Sequence, residues 1–517
     1  MRFKKHLVAI ALAVVVALVA TAACADQPKY VFFFLGDGMS STQIQATEAY
    51  LTTLNGGDAK KAGDLLKPEN RLNMSKMPIA GMQTTYDAFA LMTDSASSAT
   101  AFACGLKTLS GVIGMNDTKT KSYKSIAQLA HENEKKVGII TSVSLDHATP
   151  AAYYASVASR GYMNNVATQM AATGYEFFGG GGLVKPTPVA DPGSDTNNNI
   201  WDLLSANGYE VLNTRDSILA LKNTPRDKVV CINPFLPDAS KSMPYDIDRP
   251  AGNLSLADMT EVAIANLFGE RRGRDWGRNR SKGFFIMVEG GKIDWACHAN
   301  DAVAAIGDML DFDAAVGVAL EFYKKHPMET LIVVTGDHET GGMSIGHATT
   351  GYTAYYDRLL GQTNSYEYFE TNMWAPHKTA TAGSVCGGHI GTDNLAGDTT
   401  MTGHMNSVFG LDYASLNDYQ KEKLEDAYDQ SMCGSNDNKP AENTLLYGGY
   451  NPIIVTITHI LNERASIGWT SYAHTGVPVP VFAQGRESVR FAGFYDNTDI
   501  AKKLAKAMDM PVLPVEK

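Results

Sequence analysis

Four short apolar runs, each ending in ligand-type side chains, constrain this chain more than any other feature. Tyr30–Leu35 leads into Gly36, Asp37 and Gly38, and Val137–Val143 into Asp146, His147, Ala148 and Thr149. Phe284–Val288 leads into Glu289, and Leu331–Val334 into Thr335, Gly336, Asp337 and His338. Strands buried on both faces read as near-continuous apolar runs, as in a parallel sheet covered by helices. Helix-like stretches such as Ser125–Asn133 and Ala302–Phe322 lie between them. The alternation predicts an α/β fold, a doubly wound, largely parallel sheet with helices on both faces. Ligands bind such sheets outside the carboxyl ends of the strands. One Asp-Gly ending is ordinary turn chemistry. Four such endings are read here as one convergent site.

Composition narrows the class. With 517 residues, 44% of them hydrophobic, the chain has ample material for a core. A net charge of −11 argues against a basic nucleic-acid binder, so an anionic ligand needs a local positive site. The N-terminus carries Arg2, Lys4 and Lys5 before an apolar run from Leu7 to Ala20, too short for a comfortable span but suited to a signal peptide. Ala23-Cys24-Ala25 offers a cleavage site after Ala25, so residues 1–25 are expected to direct export to a periplasmic or secreted location. Lipidation at Cys24 is the weaker alternative, since Thr21 stands where an aliphatic residue is preferred. No later stretch is apolar enough for a transmembrane segment. Of the other cysteines, Cys386 and Cys433 share one segment and could pair in an oxidising compartment; buried free thiols are the competing reading.

The stretch from Glu339 to Tyr450 has weak hydrophobic runs and is rich in Gly, Thr, Asn and Tyr. It reads as an insertion, 339–450, dividing a core made of 26–338 and 451–517. Only Ser415–Gln430 within it looks clearly helical, and His347, His377, His389 and His404 read as loop residues without metal-ligand spacing. Pro452 opens an apolar helix through Ala465, with His459 structural inside it.

Asp294 and His298 stand four residues apart and would share one face of a helix, as metal ligands do. With Asp337, His338 and His474 they supply enough carboxylate and imidazole for two zinc-type sites. Asp37, Thr149 and Glu289 form an oxygen set suited to magnesium. Ser95 opens a small-residue helix, Thr93 to about Lys107, whose N-terminus could cradle an anion; a plain cap by Asp94 or Ser95 is the alternative. Arg160 could fork two phosphate oxygens or serve as a surface ion-pair partner.

Gly36–Met39, Asp94–Ala99, His147–Ala152, Glu289–Asp294, Gly336–His338 and His474–Pro478, in this order, resemble the alkaline phosphatase family over nearly the whole chain past residue 30. The resemblance implies an exported phosphomonoesterase that forms a covalent phosphoserine on Ser95 and releases inorganic phosphate. It implies one zinc on Asp294, His298 and His474 and a second on Asp37, Asp337, His338 and the Ser95 oxygen. It places magnesium on Asp37, Thr149 and Glu289, with Arg160 clamping the phosphate. Zinc would lower the pKa of the Ser95 hydroxyl, removing the need for a histidine base.

His147 and Trp295 stand where the enterobacterial form has aspartate and lysine, a pairing similar to cold-active marine-type members. That leaves the selectivity of the magnesium site open, with His147 placed beside it through water. In the similar marine enzymes a long insertion reaches over the partner subunit, which implies a homodimer, although a lid is equally readable from this sequence. Phosphodiesterases, sulfatases and a catalytically lapsed binding protein are the competing functions. Arg160 and the Thr149–Glu289 pair favour monoesters.

Overall fold

The computed structural model describes residues 27–188, 191, 193, 196–268, 282–386 and 394–517, so the expected signal peptide, Cys24 and His389 lie outside the described residues. Ten strands form the central sheet: β1 (Tyr30–Gly36), β2 (Ile79–Gln83), β3 (Lys136–Thr141), β4 (Phe177–Gly180), β5 (Glu210–Leu212), β6 (Val229–Ile232), β7 (Phe284–Gly290), β8 (Thr330–Gly336), β9 (Val479–Gly485) and β10 (Gly493–Tyr495). Their order across the sheet is β10-β2-β9-β8-β1-β7-β3-β4-β6-β5. Among the described residues only β9 runs antiparallel to its neighbours. The four runs singled out in the sequence are β1, β3, β7 and β8, and they lie side by side at the centre.

Alternate residues of β1 feed two different cores, the period-2 signature of a strand. Val31, Phe33 and Leu35 pack with Phe102 and Tyr153 on one face. Phe32 and Phe34 pack with Phe312 and Phe322 of the long helix Ala302–Lys325 on the other. All five β1 side chains are fully buried, each burial contributing about 1.5–3 kcal/mol.

The segment after β8 differs from expectation. Besides Asp418–Cys433 it contains the helices Tyr366–Phe369, Ala375–Val385, Thr399–Phe409 and Pro440–Tyr447. His377 and His404 are therefore helical, whereas the sequence read them as loop residues. His377 is buried, and its ring meets Asp398 Oδ2 at 2.6 Å. Phe369, Trp374, Phe409 and Tyr428 build a third hydrophobic cluster, shared with the helix Pro452–Ala465 and with Ala46 and Val303 of the core. The sequence hid these helices because their apolar anchors are widely spaced and no amphipathic stripe repeats. Cys386 and Cys433 form a disulfide, while Cys104, Cys231 and Cys297 are buried free thiols. Among the described residues no helix is long and apolar enough to cross a membrane.

Candidate active site

Register builds the site. Gly36 aligns with Gly290 on one side and with Gly336 on the other, while Thr141 aligns with Glu289. Asp37 and Asp337 therefore leave adjacent parallel strands at one level, and Glu289 lies within the neighbouring strand, opposite Leu35, at the same end of the sheet. Gly38 adopts φ +75°, and a Cβ there would lie 2.8 Å from the Asp294 Cα. Only glycine lets the β1 turn approach the Lys292–His298 helix this closely. Because β9 runs against β8, its N-terminal end falls at the same edge, and Thr340 pairs with His474 just ahead of it.

Two clusters result. In the first, His298 Nε2 lies 3.3 Å from Asp294 Oδ2, and His474 Nε2 lies 3.5 Å from Asp294 Oδ1. His298 Nδ1 donates to the Tyr472 carbonyl at 2.5 Å, and His474 Nδ1 to the Thr93 carbonyl at 2.6 Å. The two Nε2 atoms face each other 3.1 Å apart, both turned toward the Asp294 carboxylate. With a proton on one ring the contact is a hydrogen bond; with both rings neutral, the two lone pairs and the Asp294 carboxylate could ligate one metal ion. In the second cluster, His338 Nε2 lies 3.3 Å from both Asp37 Oδ1 and Asp337 Oδ2. Its ring stacks on His474 with centroids 3.6 Å apart, so the clusters adjoin. Ligand atoms of Asp37, Asp337 and His338 lie within 4.8 Å of one another, as do those of Asp294, His338 and His474, close enough in each case to share one ion.

The electrostatics act on the same atoms. Burial and the neighbouring carboxylates push Asp37 well up, Glu289 to about 8 and Asp337 to about 7. Asp294 goes the other way: burial opposes its charge, but His298 and His474 hold it below the usual carboxylate range. Although burial pushes His298 down, Asp294 lifts it to about 9. Glu289 Oε1 is buried without a hydrogen-bond partner, while its other oxygen accepts from Thr141. Thr149 Oγ1 lies 3.4 Å from Asp37 Oδ2, joining the oxygen set to the second cluster. Acid-rich, buried and partly unsatisfied, this donor set fits bound cations.

Ser95 is the first residue of the helix Ser95–Cys104, with Asp94 as its N-cap accepting from Ser97 N at 2.9 Å. The cap falls to Asp94 alone, freeing Ser95, whose buried hydroxyl points to Asp37 Oδ1 at 3.4 Å. Gly105, at φ 74°, ends this helix after Cys104, short of Lys107. Arg160 Nη1 pairs with Asp94 Oδ2 and its Nη2 meets His147 Nε2, both at 3.1 Å. Arg160 thus forms an ion pair with the cap of the Ser95 helix. His147 and Trp295 meet edge to face at 5.8 Å. The structure thus brings all twelve candidate residues to one sheet edge.

Three further supports escaped the sequence reading. Ser98 donates to Asp337 Oδ2 at 2.9 Å, Thr141 donates to Glu289, and Thr340 donates to Asp294. Ser98 sits one helical turn after Ser95, a spacing that could have signalled it. The backbone carbonyls of Thr93 and Tyr472 carry no side-chain signal.

Comparison with known proteins agrees with this geometry. The alkaline phosphatase family model matches residues 28–510. Alkaline phosphatase 3 of Bacillus subtilis is 29% identical over 492 residues, covering 93% of this chain and 89% of its own length. The cold-active alkaline phosphatase from the psychrophile Shewanella sp. is 27% identical with a TM-score of 0.69, covering 93% and 99% of the two chains. The alkaline phosphatase of the Antarctic bacterium TAB5 is 26% identical with a TM-score of 0.58, covering 94% and 99%. The chain belongs to the alkaline phosphatase family and is a phosphoric monoester hydrolase.

Proposed function

We propose that this chain is an exported, metal-dependent alkaline phosphatase that cleaves small phosphate monoesters through a phosphoserine on Ser95. Asp294, His298 and His474 would hold one zinc, and Asp37, Asp337, His338 and the Ser95 oxygen a second. Asp37, Thr149 and Glu289 would hold magnesium. The observation that carries the reading is the pair of His298 and His474 Nε2 atoms facing each other at 3.1 Å, each with its Nδ1–H spent on a carbonyl. When bound, the ions supply Lewis-acid charge that lowers the pKa of the Ser95 hydroxyl and offsets charge on the transferring phosphoryl group. Ser95 Oγ attacks phosphorus in line; the new Oγ–P bond forms as the bond to the alcohol oxygen breaks, and water then cleaves the phosphoserine. Two of the five guanidinium N–H donors of Arg160 are used by Asp94 and His147, so the others can hold two phosphate oxygens. Positioning and charge supply most of the rate in such transfers. A homodimer in which residues 339–450 contact the partner or cover the site completes the reading, with 26–338 and 451–517 as the catalytic core.

The test is hydrolysis of p-nitrophenyl phosphate and of bis(p-nitrophenyl) phosphate at alkaline pH, before and after chelation. Monoester turnover lost on chelation and restored by zinc with magnesium is expected. Diester preference, or no metal-restorable turnover, would overturn the proposal.

A further inference from the structure

The Lys292 side chain is fully buried, beside the site but outside both clusters. Its ammonium pairs with Glu367 Oε2 at 3.1 Å, on the short helix Tyr366–Phe369 of the inserted segment. It also lies 3.7 Å from the Tyr245 ring centroid and 4.7 Å from that of Trp295. A buried ammonium is costly, and an apolar side chain of the same length would fill this space without that cost. The stacking on Trp295 supplies a reason for the charge. Trp295 packs on His147, His147 bonds Arg160, and Arg160 pairs with the cap of the Ser95 helix.

We propose that Lys292 is a positioning residue for phosphate recognition: pinned by Glu367, it fixes Trp295 and, through His147, the orientation of the Arg160 guanidinium. The inserted segment thereby helps to set the phosphate clamp from within its own chain. The inference rests on the reading of Arg160 as that clamp.

Replacing both members of the pair, Lys292→Met with Glu367→Leu, removes the two charges of the ion pair together, so neither is left buried without the other. The double variant should raise KM for p-nitrophenyl phosphate and the inhibition constant for inorganic phosphate by about three- to tenfold, with kcat nearly unchanged. In an Arg160→Ala background the same pair of changes should add almost nothing. Should the double variant fail to fold, Glu367→Gln, which releases Lys292 from its anchor, is expected to move both constants in the same direction. If Arg160→Ala itself leaves phosphate inhibition unchanged, the clamp reading and this inference fall together. If Arg160→Ala weakens inhibition while the Lys292 and Glu367 variants do not, or if their effect persists in full without Arg160, the positioning role alone is overturned.

Discussion

The central sheet and the 366–465 region solve the same burial problem in opposite ways. At the sheet centre, four parallel strands present unbroken apolar runs, and their aligned ends set Asp37 and Asp337 at one level with Glu289 close behind them. In the 366–465 region, short helices meet around isolated anchors, Phe369, Trp374, Phe409 and Tyr428, with a disulfide closing the segment. Strand register fixes atoms over long distances, which suits a site needing several ligands in one place. Helices held by scattered anchors fix little beyond their own contacts. Such a region can carry supports such as Glu367 without carrying the chemistry.

That contrast can be broken by core truncation. Phe34→Ala and Trp374→Ala each remove a fully buried ring and should cost about 3–5 kcal/mol. Native-state hydrogen exchange should show Phe34→Ala lowering protection throughout the sheet. Trp374→Ala should lower it chiefly in 366–465. Equal loss everywhere from both variants would mean that the two regions unfold as one unit.

A smaller effect sharpens the comparison. Asp398 caps the helix Thr399–Phe409 and also meets His377 and Tyr428. Burial opposes its charge, but the Met401 N–H, Tyr428 and His377 hold its pKa below the usual range. A lowered folded pKa stabilises above the unfolded value of about 4 and is lost as pH falls through the folded value. Asp398→Ala should therefore cost about 1–2 kcal/mol at pH 7, mostly through the cap, and little once the native carboxylate is protonated. Exchange protection in residues 399–409, followed from neutral to acid pH in both proteins, checks the sign.

The same contrast explains what was legible in the sequence. The runs at 30, 137, 284 and 331 announce β1, β3, β7 and β8, because a strand buried on both faces has no polar residue to blur it. Ser95, Asp294 and His474 were legible as candidates from their side chains, but their joint assignment to one site came from the ordered motifs of the family resemblance. The reversed sense of β9 was not visible, since strand direction is set by connection and not by composition. Nor were the carbonyls of Thr93 and Tyr472, which fix the two imidazoles. The helices around Trp374 and Phe409 stayed hidden because caps and single anchors define them, without periodicity.

The central claim is that the sheet edge delivers Ser95 as the nucleophile. Acid quenching the metal-loaded protein with labelled inorganic phosphate, followed by peptide mapping, tests it directly. The account predicts an acid-stable phosphoserine at residue 95, absent in Ser95→Ala together with at least about a thousandfold loss of kcat. Label on another residue, or label retained by Ser95→Ala, would contradict it.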